Sequence, residues 1–194
     1  ASLYFLPVQT RVPLKFGPET LTYVTCARVC LDVSDAKGNT AKGWGETPLS
    51  VQWVWPSRLS YETRHERMKR FCVRLVQAWA DCRLCGHPME IGADFQEHVL
   101  PGLLREANQA RNPEEEGMPW LAALVCCSAF DIALHDAYGN LHQSSIYSMY
   151  GPDCMNRSLG DMIQPAEGSM VSFGGHYPSE YLNSPGEKRL HAWH

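Results

Sequence analysis

The fold is decided by residues 119–151, which read PWLAALVCCSAFDIALHDAYGNLHQSSIYSMYG. The first two thirds of this stretch are apolar almost all round, and a helix of that composition has to be buried on most sides. Gly139 predicts a left-handed stop, which a residue with a Cβ adopts less easily. We therefore expect a central helix over about residues 120–138.

The stretches before this helix alternate between apolar and polar residues, which is typical of half-buried strands. The alternation covers residues 8–16 and 21–34 and is followed by the turn sequence of residues 35–39 and a glycine-rich strand over residues 40–46. The valines and leucine of residues 8–16 are predicted to form a buried face, and Pro13 favours an edge position or a bulge. Short connections predict an antiparallel three-stranded meander.

Helical periodicity takes over after the strands. Apolar residues recur at three- and four-residue spacing over residues 68–79, and Ser60 is a suitable N-cap. A second helical stretch over residues 95–104 should be kinked or divided by Pro101. From Gly151 onward prolines and glycines leave no sustained period. The predicted fold class is α+β, a three-stranded meander followed by a helical bundle and an irregular C-terminal tail.

Composition excludes some partners. The 194 residues carry a net charge of −4, which argues against a nucleic-acid partner. The basic residues from Arg64 to Arg74 alternate with Glu62 and Glu66 and are predicted to form a solvated face. No run approaches the roughly 20 apolar residues of a membrane span, so no membrane partner is expected.

The cysteines indicate a reduced protein. Most of the eight cysteines lie in apolar periodic segments, where a thiol acts as a small hydrophobe, and we expect a cytoplasmic location. Cys82 and Cys85 have the CxxC spacing of zinc and redox sites, although no second pair has suitable spacing. A small thiol- or zinc-dependent protein is therefore one functional hypothesis.

The order and spacing of several motifs over residues 8–151 resemble the N-terminal capping domain of the enolase superfamily, in its mandelate racemase and muconate lactonizing enzyme branch. The matching pieces are Arg11–Leu14 with Phe16-Gly17 and Thr20, Gly43–Leu49 (GWGETPL), Ser128–Ala137, and Ile146-Tyr147 with Gly151. The resemblance implies a domain at 1–151 and, at 152–194, an irregular segment leading toward a (β/α)-barrel that is absent from this chain.

In this family the barrel holds Mg²⁺ and the bases that remove an α-proton from a carboxylate, and the metal stabilises the charge that develops. The resemblance implies Mg²⁺ for the full-length enzyme, with no metal bound and no catalytic residue in this chain. The implied partners are a carboxylate small molecule, such as an acid sugar for an isomerase or dehydratase, and further copies of the chain in a homo-oligomer. Alone, the chain is expected not to catalyse the family reaction.

Two loops would contact the substrate by family position. The first, over residues 15–20, contains Lys15 and Phe16, and the second, over residues 47–57, contains Trp53 and Trp55. Lys15 would attract a carboxylate, and the tryptophans would cover an organic substrate or, alternatively, pack on the sheet or in an oligomer contact.

Other polar residues allow competing interpretations. Glu46 would be a substrate-facing or loop-anchoring carboxylate, or a surface acid. Asp131, His135 and Asp136 could be taken for metal ligands, although a satisfied polar network is favoured. The alternative to an enzyme cap is a stand-alone α+β binding or oligomerisation module without catalysis.

Overall fold

The computed structural model describes residues 1–16, 19–183 and 189, which form two compact units, Ala1–Gln143 and Ser144–His194. The first unit is α+β, with a three-stranded antiparallel sheet and helices, as the sequence predicts. Its elements are β1 (Ser2–Phe16), β2 (Glu19–Ser34), β3 (Thr40–Pro48), α1 (Val51–Val54), α2 (Tyr61–Ala80), α3 (Pro88–Asp94), α4 (Leu100–Gln109) and α5 (Trp120–His142).

The sheet is a meander in the order β1-β2-β3, with β2 in the centre. The β2–β3 turn is held by Asp35, whose Oδ1 accepts hydrogen bonds from the backbone N–H groups of Lys37 (2.9 Å) and Asn39 (2.8 Å). Such side-chain bonds to the backbone are the reason that Asp favours turns. The predicted meander is confirmed.

One part of the strand prediction is wrong. Val8, Val12 and Leu14 are exposed rather than buried. The β1–β2 register shifts between Gln9 and Leu14, which agrees with the bulge that Pro13 suggests. Alternation marks a strand but does not say which residues a second layer covers, and the apolar core lies against β2 at Ala27–Leu31.

Helix α5 packs directly on β3 because two glycines leave room for its backbone. A Cβ at Gly43 would lie under 3.0 Å from the Ala137 nitrogen, and one at Gly45 would lie equally close to the Ala129 carbonyl oxygen. Real Cβ atoms do not come this close, so the two glycines of the GWGE motif are required by packing. The small residues of α5 complete this close approach.

The helix ends later than the sequence predicts. It runs to His142, and Gln143 rather than Gly139 takes the left-handed conformation, with φ of 52°. Gly139 is a buried residue inside the helix. Gly139 is therefore not the helix stop that the sequence predicts.

Side chains of α5 also cover the free edge of β3. Asp136 Oδ2 accepts a hydrogen bond from the Trp44 backbone N–H at 2.8 Å, and Asn140 Nδ2 donates to the Lys42 carbonyl at 2.9 Å. An uncovered edge strand offers such groups to other chains. Asp136 is thus a structural residue of the sheet edge.

Helix α2 begins as predicted, with the Ser60 hydroxyl accepting a hydrogen bond from the Thr63 N–H at 3.2 Å. Its basic residues are not all solvated, however. Arg64 is only 4% exposed, and its Nη1 donates to the Trp55 carbonyl at 2.6 Å. Arg67 is paired with Glu115. The predicted solvated face is therefore wrong at Arg64, because this guanidinium has a buried carbonyl to satisfy.

The helical stretch around Pro101 is divided, as predicted. A π-helical turn over Phe95–Val99 joins α3 to α4, and Pro101 lies in the first turn of α4. The helical backbone continues through this turn, and the proline, which has no N–H to donate, interrupts the α-helical hydrogen-bond pattern there.

The second unit contains only short 3₁₀ turns in its described residues, at Ile146–Met149, Leu159–Asp161 and Pro178–Tyr181. Backbone hydrogen bonds from Leu159 N–H to the His176 carbonyl (2.8 Å) and from Gly160 N–H to the Phe173 carbonyl (2.9 Å) close a loop within this unit. The chain from Leu190 to His194 lies outside the described residues.

By length and composition alone, α5 could cross a membrane. Core helices of globular proteins meet the same criterion, and the close approach to β3 accounts for the small and apolar residues of α5. This feature is therefore weak evidence for a membrane, and the cytoplasmic location stays a prediction.

Substitution of Gly43 or Gly45 by alanine tests the close approach. We expect each variant to lower the free energy of unfolding by about 3 kcal/mol or more in urea denaturation, since the added methyl group meets backbone atoms of α5. Gly102→Ala is the matched control, because nothing lies within 4 Å of its Cβ position. It should be neutral or stabilising by about 0.5–1 kcal/mol. Equal effects at Gly43, Gly45 and Gly102 would contradict the packing.

Candidate functional site

A cavity of about 280 Å³ opens in the first unit where three elements meet. Its wall combines hydroxyl, amide, carboxylate and phenol groups. The lining residues are Thr20, Leu21, Thr22 and Tyr23 at the start of β2, Gln52 of α1, and Tyr61 and Glu62 at the start of α2. The volume is just below the roughly 300–1,000 Å³ found for ligand pockets, so only a small ligand would fit.

The aromatic wall is held by ring contacts. Tyr23 meets Tyr61 edge to face with centroids 6.3 Å apart, and the His65 ring stacks on Tyr61 at 5.4 Å. Burial is the main cause that lowers the pKa of His65, and Lys69 adds to it. The His65 imidazole therefore supports the wall as a neutral, stacked ring.

The connection after β3 is anchored at its far end. Trp55 is 2% exposed, and its carbonyl accepts the hydrogen bond from the buried Arg64. Leu49, Val51 and Val54 are buried as well. These contacts fix α1, so that Gln52 faces the cavity from a rigid turn rather than from a loose loop.

This anchoring corrects the expectation for Trp55, whose ring belongs to the core and is not accessible to a ligand. Trp53, on the same turn, is 49% exposed. The predicted loop over residues 47–57 is in fact the end of β3 followed by the helical turn α1. Two tryptophans separated by one residue point to opposite sides of such a turn, which composition does not reveal.

The first predicted loop lies at the other side of the cavity. Lys15 is exposed and pairs with Thr20 in the β1–β2 register, next to the cavity wall. The backbone of Phe16 belongs to β1, whereas its side chain lies outside the described part of the structure, as do Gly17 and Pro18. Lys15 is thus a cation near the rim, where the lining itself holds only the acid Glu62.

Glu46 does not line this cavity. Its Oε2 lies 2.6 Å from Arg28 Nε, in an ion pair between neighbouring strands. Since Gly45 faces α5 and side chains alternate along a strand, Glu46 projects from the opposite face of the sheet. Burial is the main cause that raises the pKa of the Cys26 thiol, and the Glu46 carboxylate adds to it.

Asp131 and His135 belong to a polar network with a buried histidine of α3. His135 Nδ1 lies 2.8 Å from the Asp131 carbonyl oxygen, and the His87 ring lies 6.4 Å from that of His135 and 5.1 Å from that of Tyr138. His87 is 1% exposed, and its Nδ1 accepts the Met89 N–H at 3.2 Å as the N-cap of α3. Burial raises the pKa of Asp131.

The described residues offer no obvious metal site. Among them, no group of three or more His, Cys, Asp or Glu side chains is placed to hold a metal ion. All eight cysteines are described and none forms a disulfide. Burial raises the pKa of Cys127 to about 12, so this thiol stays protonated and serves packing.

Comparison with known proteins adds no assignment, because the chain matches no protein-family model, no curated protein and no solved structure. The function has to be argued from the site itself.

Sequence reasoning singled out none of four residues of the cavity wall, although the predicted loop over residues 47–57 includes the second of them; these are Tyr23, Gln52, Tyr61 and Glu62. Tyr61 and Glu62 directly follow the N-cap Ser60, and a helix start that carries an aromatic side chain beside the strand ends was the available signal. Tyr23 gave none, because an aromatic residue in a strand is usually part of the core.

The cap of α3 generates a pH prediction. Burial is the main cause that lowers the pKa of His87 to about 4, with His135 next, while Glu90 opposes the change. The native state therefore binds fewer protons than the unfolded chain between pH 6.5 and 4. As the pH falls through that window, the free energy of unfolding decreases by up to about 3 kcal/mol.

We expect His87→Asn, which retains an N-cap acceptor but does not titrate, to flatten the dependence of the unfolding free energy on pH between about 4 and 6.5. Urea denaturation at several pH values provides the measurement. His98→Asn is the matched control, because His98 is exposed and does not contribute to the lowered pKa of His87. Parallel curves for the wild type and His87→Asn would show that His87 is not the titrating group.

Proposed function

We propose that this chain is the capping domain of an enzyme of the enolase superfamily, similar to mandelate racemase and muconate lactonizing enzyme. In this proposal it supplies substrate contacts, and a (β/α)-barrel domain supplies the catalytic groups. The α+β architecture is compatible with such a cap, as are the glycines of the GWGE motif that seat α5 on β3.

One observation carries the proposal. The start of β2, which follows the first predicted substrate loop, and α1, which follows β3, line the same cavity. These two connections are separated by about thirty residues of sequence, and a cap needs both at one place in order to close over a ligand. Arg64 and Trp55 hold α1 there without occupying the cavity.

The lining favours the hydroxylated part of a small ligand over its carboxylate. Thr20, Tyr23, Gln52 and Tyr61 offer neutral groups for hydrogen bonds, whereas Glu62 would repel an anion. Lys15, opposite Thr20, is a candidate to attract a carboxylate at the rim. This division suits an acid sugar, with its hydroxyl groups in the cavity and its carboxylate directed outward.

The implied Mg²⁺ is not assigned to this chain. Following the resemblance, the proposal places the chemistry of this ion, stabilisation of the charge formed on α-proton removal, in the barrel. The residues of this chain would bind the substrate, orient it and exclude water.

Binding of acid sugars to the cavity tests the proposal. We expect millimolar D-gluconate or galactarate to shift amide signals of residues 20–23 and 51–62 in nitrogen-15 correlation spectra. Sorbitol, which keeps the hydroxyl groups but lacks the carboxylate, should cause the same shifts only at higher concentration. Gln52→Ala, which removes a lining side chain, should weaken binding about fivefold, whereas Gln96→Ala, at an exposed glutamine outside the lining, should not. Shifts confined to other regions would contradict the proposal.

The division of labour gives a second expectation. The chain by itself should not exchange the α-proton of mandelate or D-gluconate for deuterium in D₂O containing Mg²⁺, because proton removal needs the barrel's metal and bases. Proton NMR monitors the exchange. Mg²⁺-dependent exchange by the purified chain would contradict a purely capping role.

The alternative, a stand-alone oligomerisation module, is favoured by a different observation. Tyr4 and Trp44 are aromatic residues that remain exposed on the sheet.

A further inference from the structure

The face of the sheet opposite α5 carries an exposed aromatic pair. Tyr4 of β1 and Trp44 of β3 are each 49% exposed, and their rings stack with centroids 6.2 Å apart. Val8 continues the apolar surface along β1. Aromatic residues at this exposure are unusual on a solvated sheet and are enriched at protein interfaces.

The buried residues beneath the aromatic pair on this face are apolar. Val24, Cys26 and Cys30 of the central strand are buried, with Leu6 packed beside Val24 and Cys26. By the β1–β2 and β2–β3 registers and strand alternation, these side chains share the face with Tyr4 and Trp44. A partner that covers the aromatic pair would therefore complete a second apolar layer on this side of the sheet.

The charged residues on this face balance each other, and this balance bears on the kind of partner that the face would bind. Arg28 pairs with Glu46 at 2.6 Å, and Lys42 lies 3.7 Å from Asp32. The two cations and two anions balance, so the face attracts neither a strongly acidic nor a strongly basic partner. Because Arg28 and Glu46 lie side by side on neighbouring strands, a copy of the chain turned about a two-fold axis can place each charge against its opposite.

We propose that the outer face of the sheet, defined by Tyr4, Val8, Arg28, Trp44 and Glu46, binds a second copy of this chain. In the two-fold dimer the aromatic pairs pack against each other, and Arg28 of each copy faces Glu46 of the other. This surface lies on the other side of the sheet from α5, and the proposal does not depend on the proposed function of the cavity.

Sedimentation velocity of the full chain tests the dimer. We expect the wild type to sediment increasingly as a dimer as its concentration rises from about 1 to about 200 µM. Trp44→Lys should weaken dimerisation at least about tenfold, since it removes the aromatic contact and introduces like charges across the axis. Trp53→Lys, an equally exposed tryptophan on another element, is the control and should dimerise like the wild type.

Charge reversal shows whether the partner is a second copy in this orientation. Arg28→Glu places two acids on each face and Glu46→Arg places two bases, so each variant alone should be monomeric. An equimolar mixture should form the heterodimer, because each variant supplies the sign that the other lacks. Circular dichroism confirms that the variants are folded; the substituted side chains are exposed enough for this.

Three results would overturn the proposal. These are a wild-type chain that stays monomeric over the whole concentration range, a dimer that Trp44→Lys and Trp53→Lys affect equally, and a mixture of the charge variants that remains monomeric. Binding of acid sugars at the cavity is measured separately, so failure of the dimer and failure of the proposed function are distinguishable.

Discussion

The structure of the first unit depends on the direct contact between the backbone of α5 and the backbone of β3. Gly43 and Gly45 permit this contact, since any side chain there would collide with the helix. The contact places the long apolar helix α5 against β3 and, beside it, β2, and it brings Asp136 and Asn140 within hydrogen-bonding distance of the β3 edge. The same contact between α5 and β3 therefore provides both close packing and hydrogen bonds for polar groups at the strand edge.

The cavity follows from this arrangement. With β3 fixed beneath α5, the chain leaves the sheet at Pro48 and enters α1, where Trp55 is buried and its carbonyl is bound by Arg64. The same arginine belongs to α2, whose first residues form the aromatic wall. A buried guanidinium therefore ties together two of the three elements around the cavity, and its hydrogen bonds offset the loss of hydration.

The meander, the N-cap at Ser60 and the central helix were predictable, because alternation, capping chemistry and apolar periodicity are local properties of the sequence. The candidate site was less predictable from the sequence. Val8, Val12 and Leu14 have the pattern of a buried face but are exposed, Val8 on the side of the sheet opposite α5, and Trp55 is buried while Trp53 is exposed. A pattern identifies a face, whereas the layer that covers it is set by contacts between residues far apart in sequence.

The most direct test of the account is the distance between β3 and α5 in solution. Nuclear Overhauser effects should connect the α-protons of Gly43 with the amide of Ala137, and those of Gly45 with the amide of Ala133, because these backbones are in contact. Strong effects between these pairs are the predicted result. Their absence in a folded sample with an intact sheet would contradict the packing on which the fold, the cavity and the proposed cap depend.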